Sequence, residues 1–362
     1  MKKLLITLAA VFFCLDVLAI PAMPGAFTYK QPDGSIIRLE RHGDEFFSWT
    51  TLAGSSQVMV LGADGFWKKG RLSESAMAAA QREREKANRE RALQTVIPYT
   101  HDNNPMTHGE RHIPVLLVAF KDWDFSIPDP QSHFTNLLNQ HGYSVNGAKG
   151  SVQDFYLDNS DGHFKPVFDV YGPVTLPHDM IYYGEPVKDE EGNILKNDIR
   201  PGEALRDGCD LLDDVIDFSQ YDYDHDGYVD MTLFYYAGYN TAEGGSENAI
   251  WPHQHFLSGN ATYDGKVVRR YFCTSELRGT SGVTPCPIGT TCHEFAHSLG
   301  IPDFYDTDYK KNGETHGLYY FSLTGPKETG PSSSRCTSSL LIQPRMMRSS
   351  VLKLGGVRPL SL

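Results

Sequence analysis

The chain of 362 residues carries 45 Asp and Glu against 33 Lys and Arg, a formal net charge of −12, and 40% of it is hydrophobic. That length admits one large domain with an accessory segment, and the apolar fraction supplies a packed core. The acidity argues against a nucleic-acid partner, which selects basic faces, and is compatible with plain solubility or with calcium sites.

Residues 1–19 have the pattern of a signal peptide: Lys2 and Lys3, an apolar run over 4–13, and a small-residue cleavage site at Val17-Leu18-Ala19. The run is too short, and Asp16 too close, for a membrane span. The expectation is export, so a secreted or extracellular protein in which disulfides are permitted. Six cysteines are present: Cys14, Cys209, Cys273, Cys286, Cys292 and Cys336. Cys14 falls in the signal peptide, which leaves an odd number. Cys273 and Cys286 are the first pair to test, on sequence proximity alone.

Residues 20–70 read as a small β unit. Strands over 27–30 and 36–39 flank the turn Pro32-Asp33-Gly34, 46–51 is a third strand, and Asp64-Gly65 marks another turn. Residues 72–94 are predicted helical; the interleaved Arg82-Glu83-Arg84-Glu85-Lys86 suits a solvated connector. Residues 95–109, with Pro98, Asn103, Asn104 and Pro105, read as an exposed linker and a site for proteolytic activation.

The main domain starts near Arg111. The apolar run 113–120 is a buried strand. Helices are predicted over 129–141, from 150, and over 201–217, where Ala204, Leu205, Leu211, Leu212, Val215 and Ile216 fall at near-helical spacing. Residues 164–176 alternate like strands broken at Gly172-Pro173. Next comes the acidic loop Asp222-Tyr223-Asp224-His225-Asp226-Gly227-Tyr228-Val229-Asp230. Carboxylates at positions 1, 3, 5 and 9, with Gly at 6 and the Tyr228 carbonyl at 7, wrap a hard cation such as Ca²⁺. Position 12 is Leu233, so this is an isolated structural calcium loop and not a complete EF-hand; the rival reading is a solvated acidic turn.

Residues 231–237 are a buried strand by composition, and 238–248 a Gly-rich loop. His253 and His255 would share a face on a strand, as structural histidines or as a second metal site. Residues 267–273 suit another strand, and Ile288 starts a helix.

That helix carries His293-Glu294-Phe295-Ala296-His297-Ser298-Leu299-Gly300-Ile301-Pro302-Asp303, the pattern H-E-x-x-H-x-x-G-x-x-D. Residues i and i+4 share a helix face, so His293 and His297 can both reach one Zn²⁺. Zinc lowers the pKa of a bound water toward about 7, and Glu294 is placed to take its proton. Gly300 accepts the left-handed conformation that ends a helix, and Pro302 prevents its resumption. The turn brings Asp303 beneath the metal as a third ligand, leaving the open position of a catalytic zinc site. The bland alternative is a surface helix with a chance H-E-x-x-H.

With Phe304-Tyr305-Asp306 added, this stretch resembles the zinc signature of the M6 metallopeptidases, the immune inhibitor A-like family. Stretches around Asp154-Phe155-Tyr156, Phe168-Asp169-Val170-Tyr171-Gly172-Pro173 and Gly317-Leu318-Tyr319-Tyr320-Phe321-Ser322-Leu323 resemble it too. The resemblance runs over roughly residues 20–323. It implies a secreted, calcium-dependent, metzincin-like endopeptidase acting on protein or peptide substrates. Asp303 is its third zinc ligand, and a sheet strand beside the zinc helix binds extended substrate by edge pairing. The segment before the main domain resembles the family's pro-region, which could cover the cleft until removed; an ordinary accessory domain is the alternative. The family's Met-turn sets a methionine under the zinc, whereas Leu323 is followed here by Thr324-Gly325-Pro326. Asp306, Asp308 and Glu314 add carboxylates nearby without a diagnostic spacing. From Lys327 the chain holds six Lys and Arg against one acid, with serine clusters, as a truncated, frameshifted or divergent tail would.

The expected organisation is therefore a signal peptide (1–19), a β-rich pro-region and helical linker (20–110), a metalloprotease domain (111–326) and a low-complexity tail (327–362). The expected fold class is α+β, with a mixed sheet backing the active-site helix. The expected cofactors are catalytic Zn²⁺ and structural Ca²⁺. Two rivals remain: an impaired calcium- and zinc-binding fragment lacking the Met-turn, and an exported calcium-dependent adhesion module. The former accommodates the zinc helix and the latter does not.

Overall fold

In a computed structural model, residues 22–94 (apart from Pro24) and 107–299 are described. The expected signal peptide, most of the linker, Asp303, the stretch 317–326 and the tail lie outside the described residues.

The first unit is an antiparallel meander of five strands in sequence order: β1 (Ala26–Lys30), β2 (Ile36–Gly43), β3 (Ser48–Leu52), β4 (Val58–Leu61) and β5 (Trp67–Lys69). Leu39, Met59 and Trp67 form its small core. Helix α1 (Glu74–Gln94) follows, and its Ala76 and Ala80 pack on Phe47. Arg84 on α1 forms a buried ion pair with Asp44 in the β2–β3 turn.

The second unit is built on β6 (Gly109–Ala119), with α2 (Pro130–Asn139), α3 (Val152–Asn159), β7 (Phe164–Thr175), α4 (Met180–Gly184), β8 (Pro186–Lys188), β9 (Ile194–Asp198) and α5 (Pro201–Leu212) following in order. Then come β10 (Tyr228–Val229), β11 (Thr232–Tyr239), β12 (His253–Tyr263), β13 (Lys266–Leu277) and α6 (Ile288–Ser298). Strand β6 lies parallel to β7 on one side and to β11 on the other; β11 and β10 lie parallel to β13. Strand β12 runs antiparallel on the far side of β13, which makes the sheet mixed. Strands β8 and β9 form a separate hairpin.

The central strands are apolar without alternation because both faces are covered. Leu116, Val118, Phe234, Tyr236 and Cys273 face one core with Leu205, Cys209 and Leu212 of α5. Val115, Leu117, Leu233, Tyr235 and Phe272 face the other, with Phe134 and Leu137 of α2, Tyr156 of α3 and Phe295 of α6. Helices thus lie on both faces of the sheet: the expected mixed sheet backing the active-site helix is present, within a layered α/β arrangement and not the segregated one that the α+β class implies.

Three expectations are corrected. Strand β7 runs through Gly172-Pro173 without a break; a register shift between Leu116 and Val118 absorbs the irregularity. A Cβ on Gly172 would stand 2.7 Å from the Leu117 carbonyl oxygen, so only glycine permits the strand to pass there. Helix α5 ends at Leu212, and Ile216 reaches the core from the turn that follows. Cys273 and Cys286 are not bonded to each other. Cys273 faces one core, its sulfur 3.6 Å from His253 Nδ1, while Cys286 sits 3.6 Å from Thr274 Oγ1. Successive strand residues point to opposite faces, so the sheet itself separates the two thiols.

Candidate active site

Helix α6 starts after Pro287, whose extended backbone (φ −74°, ψ 161°) leads into Ile288. Ile288, Cys292 and Phe295, spaced i, i+4 and i+7, form the stripe that meets the sheet. The Phe295 ring lies 4.9 Å from Tyr156, 5.7 Å from Phe168 and 5.7 Å from Phe272, centroid to centroid. Polar contacts fix the helix further. Tyr156 Oη donates to the Cys292 carbonyl at 2.6 Å, the hydroxyls of Tyr235 and Thr291 hydrogen-bond, and Ser298 Oγ donates to Met231 Sδ at 3.4 Å. The helix therefore cannot rotate about its axis without breaking contacts to α3 and β11.

This sets the next stripe. His293 and His297 bring their Nε2 atoms within 3.1 Å, with ring planes at 86°. Two nitrogens each about 2.0–2.1 Å from one zinc at a tetrahedral angle would stand about 3.3 Å apart, so the donor pair fits that ion. Both rings are buried, and Glu294 beside them is fully buried. Burial holds the Tyr156 hydroxyl well above its ordinary pKa, and the charges of Cys292 and Glu294 add to it. The helix closes at Ser298, where the Leu299 amide donates to the Ala296 carbonyl at 3.0 Å. Gly300 and Asp303 lie just beyond the described residues.

The acidic loop is folded on itself. Oxygens of Asp222, Asp224 and Asp226 lie within 4.8 Å of one another. The Asp226 amide donates to Asp222 Oδ1 (3.1 Å) and Asp224 Oδ1 (3.2 Å), and Gly227 N donates to Asp222 Oδ2 at 3.1 Å. Gly227 has φ 91°, the conformation that position 6 requires. Lys266 Nζ donates to Asp222 Oδ2 at 2.6 Å, a contact the spacing did not foretell. Asp230 Oδ2 accepts from Tyr223 N at 2.9 Å, at the base of the loop. Burial, then the charges of Asp224, Asp226 and Asp222, push its carboxyl up to about 7. The donor set is all oxygen and acidic, as a hard cation requires. The loop runs directly into Met231, which buttresses α6.

His253 and His255 share strand β12, with ring centroids 6.2 Å apart. His253 Nδ1 lies 2.6 Å from the Trp251 carbonyl, which can only accept, so Nδ1 carries the proton; Nε2 then accepts from Tyr271 Oη at 3.0 Å. Among the described residues neither histidine joins a cluster of three metal-binding groups. Behind His253, Asp198 is buried and accepts from Trp251 N at 3.0 Å. Burial pushes its carboxyl up to about 8.

Sequence reasoning did not single out the supporting roles of Tyr156, Tyr235, Thr291 and Met231. Nor did it single out Glu276, whose buried carboxylate accepts from Ser126 N, Ile127 N and Gly238 N at 2.6, 2.6 and 2.9 Å. An acid at the end of the run Tyr271-Phe272-Cys273-Thr274-Ser275, which has no other charge, was the signal available for Glu276.

The model of one family, immune inhibitor A peptidase M6, catalytic domain, matches residues 119–330. The chain is similar to the pre-pro-metalloprotease PrtV of Vibrio cholerae serotype O1 (strain M66-2), 26% identical over 226 residues, covering 53% of this chain and 23% of that protein. It is also similar to immune inhibitor A of Bacillus thuringiensis subsp. alesti, 26% identical over 241 residues, covering 55% of this chain and 34% of that protein. The chain thus spans about a quarter to a third of the length of these curated relatives.

Proposed function

The chain belongs to the immune inhibitor A peptidase family, M6, and on that premise we propose that it is a secreted zinc endopeptidase made as a precursor. The observation that carries the reading is the convergence of His293 and His297 Nε2 at 3.1 Å on one buried helix, with Glu294 between them. His293, His297 and Asp303 hold the ion. Zinc, when bound, supplies a Lewis acid for the attacking water and the scissile carbonyl. Glu294 accepts the proton of that water and delivers it to the leaving amine.

Strand β12 is the edge we assign to substrate. Among the described residues it pairs only with β13, and α6 packs against both. An extended peptide laid along it would gain main-chain hydrogen bonds. Asp222, Asp224, Asp226, Asp230 and the Tyr228 carbonyl hold a structural Ca²⁺. Residues 20–110 act as the pro-region. Among the described residues, no helix is long and apolar enough to cross a membrane.

The test is Glu294→Ala in the full chain, with cleavage between 95 and 109 to release any latency. Zinc content should be unchanged and casein hydrolysis abolished. Retained turnover would sink the assignment of the base. Zinc bound by the unsubstituted chain without any turnover would favour the impaired-fragment reading.

A further inference from the structure

The N-terminal unit (β1–β5 with α1) is seated on the β8–β9 hairpin and the loop 240–252 of the main body, and Arg278 Nη2 adds a contact to Met23 Sδ at 3.6 Å. The loop leads straight into β12. Arg41 on β2 pairs with Glu247 of the loop at 3.3 Å, with the two side chains 2% and 8% exposed. Lys188 of the hairpin meets the same carboxylate at 2.7 Å. Asn197 on β9 accepts from Ser48 Oγ at 2.8 Å, and its Nδ2 donates to the carbonyls of Asp44 and Glu45 at 2.8 and 2.9 Å. The Arg84–Asp44 ion pair holds that turn in shape from within the unit. Ahead of β1, Met23 N donates to the Ala242 carbonyl at 2.8 Å, and Ala22 packs with Ala242 and Trp251. The Phe27 ring lies against Gly244.

These contacts have the anatomy of a binding interface. A buried charge pair and a buried amide that both accepts and donates across the seam sit beside small apolar contacts, and separation would leave these groups without their partners. The main sheet draws no strand from the N-terminal unit, whose own core of Leu39, Met59 and Trp67 is separate. The two parts are therefore complementary without being interwoven.

We propose that the N-terminal unit is a separable ligand of the main body: when the chain is cut between them it stays seated, and the Arg41–Glu247 and Asn197 contacts govern its release. The proposal rests on reading residues 20–110 as a pro-region. Its consequence is that cutting the connector does not by itself free the loop 240–252 ahead of the substrate strand; dissociation does.

The experiment uses the full chain with residues 99–104 replaced by the recognition sequence of a specific protease. After complete cutting, the two fragments should co-elute on size exclusion at micromolar concentration. Arg41→Ala and Asn197→Ala should each speed their separation by about tenfold or more, as loss of one buried partner does. Lys68→Ala, which removes an exposed pair with Asp64 on the same unit, should leave release unchanged. Melting of the uncut variants checks that each still folds, and Arg41→Lys, which keeps the charge, should release at an intermediate rate. Separation of the unsubstituted fragments immediately after cutting would overturn the proposal. So would release rates indifferent to Arg41 and Asn197. Casein hydrolysis in the same samples is read separately. Full activity from a complex that still co-elutes would end the latency reading while leaving the docking intact.

Discussion

Replacing Asp198 by Asn should make the fold more stable as the pH rises. Asp198 accepts from Trp251 N at 3.0 Å and lies 3.7 Å from His253 Nδ1, which already donates to the Trp251 carbonyl. Burial raises its pKa from 3.8 to about 8. A raised folded-state pKa means that the stability contributed by the neutral acid is complete below the unfolded pKa. It is lost as pH rises toward the folded one. The loss runs at about 1.4 kcal/mol per pH unit, so between pH 5 and pH 8 it amounts to about 4 kcal/mol at most. Asparagine keeps an oxygen for Trp251 N and has no proton to lose. Urea denaturation followed by tryptophan fluorescence, with chelator present to suppress metal linkage, measures both proteins at the two pH values. They should be close in stability at pH 5, and the Asn variant should be the more stable by several kcal/mol at pH 8. Parallel pH curves, or an Asn variant weaker than the parent at pH 8, would refute the reasoning and indicate an ionised Asp198 paired with a cationic His253.

Phe295→Ala would empty a site surrounded by Tyr156, Phe164, Phe168 and Phe272. It should cost about 3–5 kcal/mol of stability; a loss under about 1 kcal/mol would mean that α6 is not anchored by this ring. Millimolar calcium should raise the melting temperature of the parent, by the equivalent of about 2.7 kcal/mol at a hundredfold excess over Kd. Asp226→Asn should remove most of that shift, and an unchanged shift in the variant would place the ion elsewhere.

The local geometry of the candidate site was readable because its signals are local. The i, i+4 histidines, the glutamate between them and the acid spacing around Gly227 each depend on a few consecutive residues. The apolar runs 113–120 and 231–237 foretold β6 and β11 because strands covered on both faces need no alternation. What was not readable is what joins distant segments. The thiols of Cys273 and Cys286 are 13 positions apart in sequence, yet the sheet parts them. Gly172-Pro173 looked like a break, but the strand continues where a missing Cβ lets it pass Leu117. The buttressing of α6 by Tyr156 and Met231 depends on residues over sixty positions from their partners. The third ligand at Asp303 stays a reading of the sequence.

The two sheets also differ in how much chain must be gathered to make them. Strands β1–β5 pair each with its neighbour in sequence, so every closure spans a short loop. In the main sheet Val115 meets Leu233, more than a hundred residues away, and Phe234 then meets Cys273. Closing long loops is entropically slow and local pairing is fast. On a chain emerging N-terminus first, the meander should therefore be complete while β6 still waits for β11. It would then offer the Ser48 hydroxyl and the Asp44 and Glu45 carbonyls as a ready surface for Asn197 as β9 arrives. Pulse-labelled hydrogen exchange during refolding would show amides of β2 and β3 protected before those of β6 and β11, and the reverse order would remove the meander from that templating role.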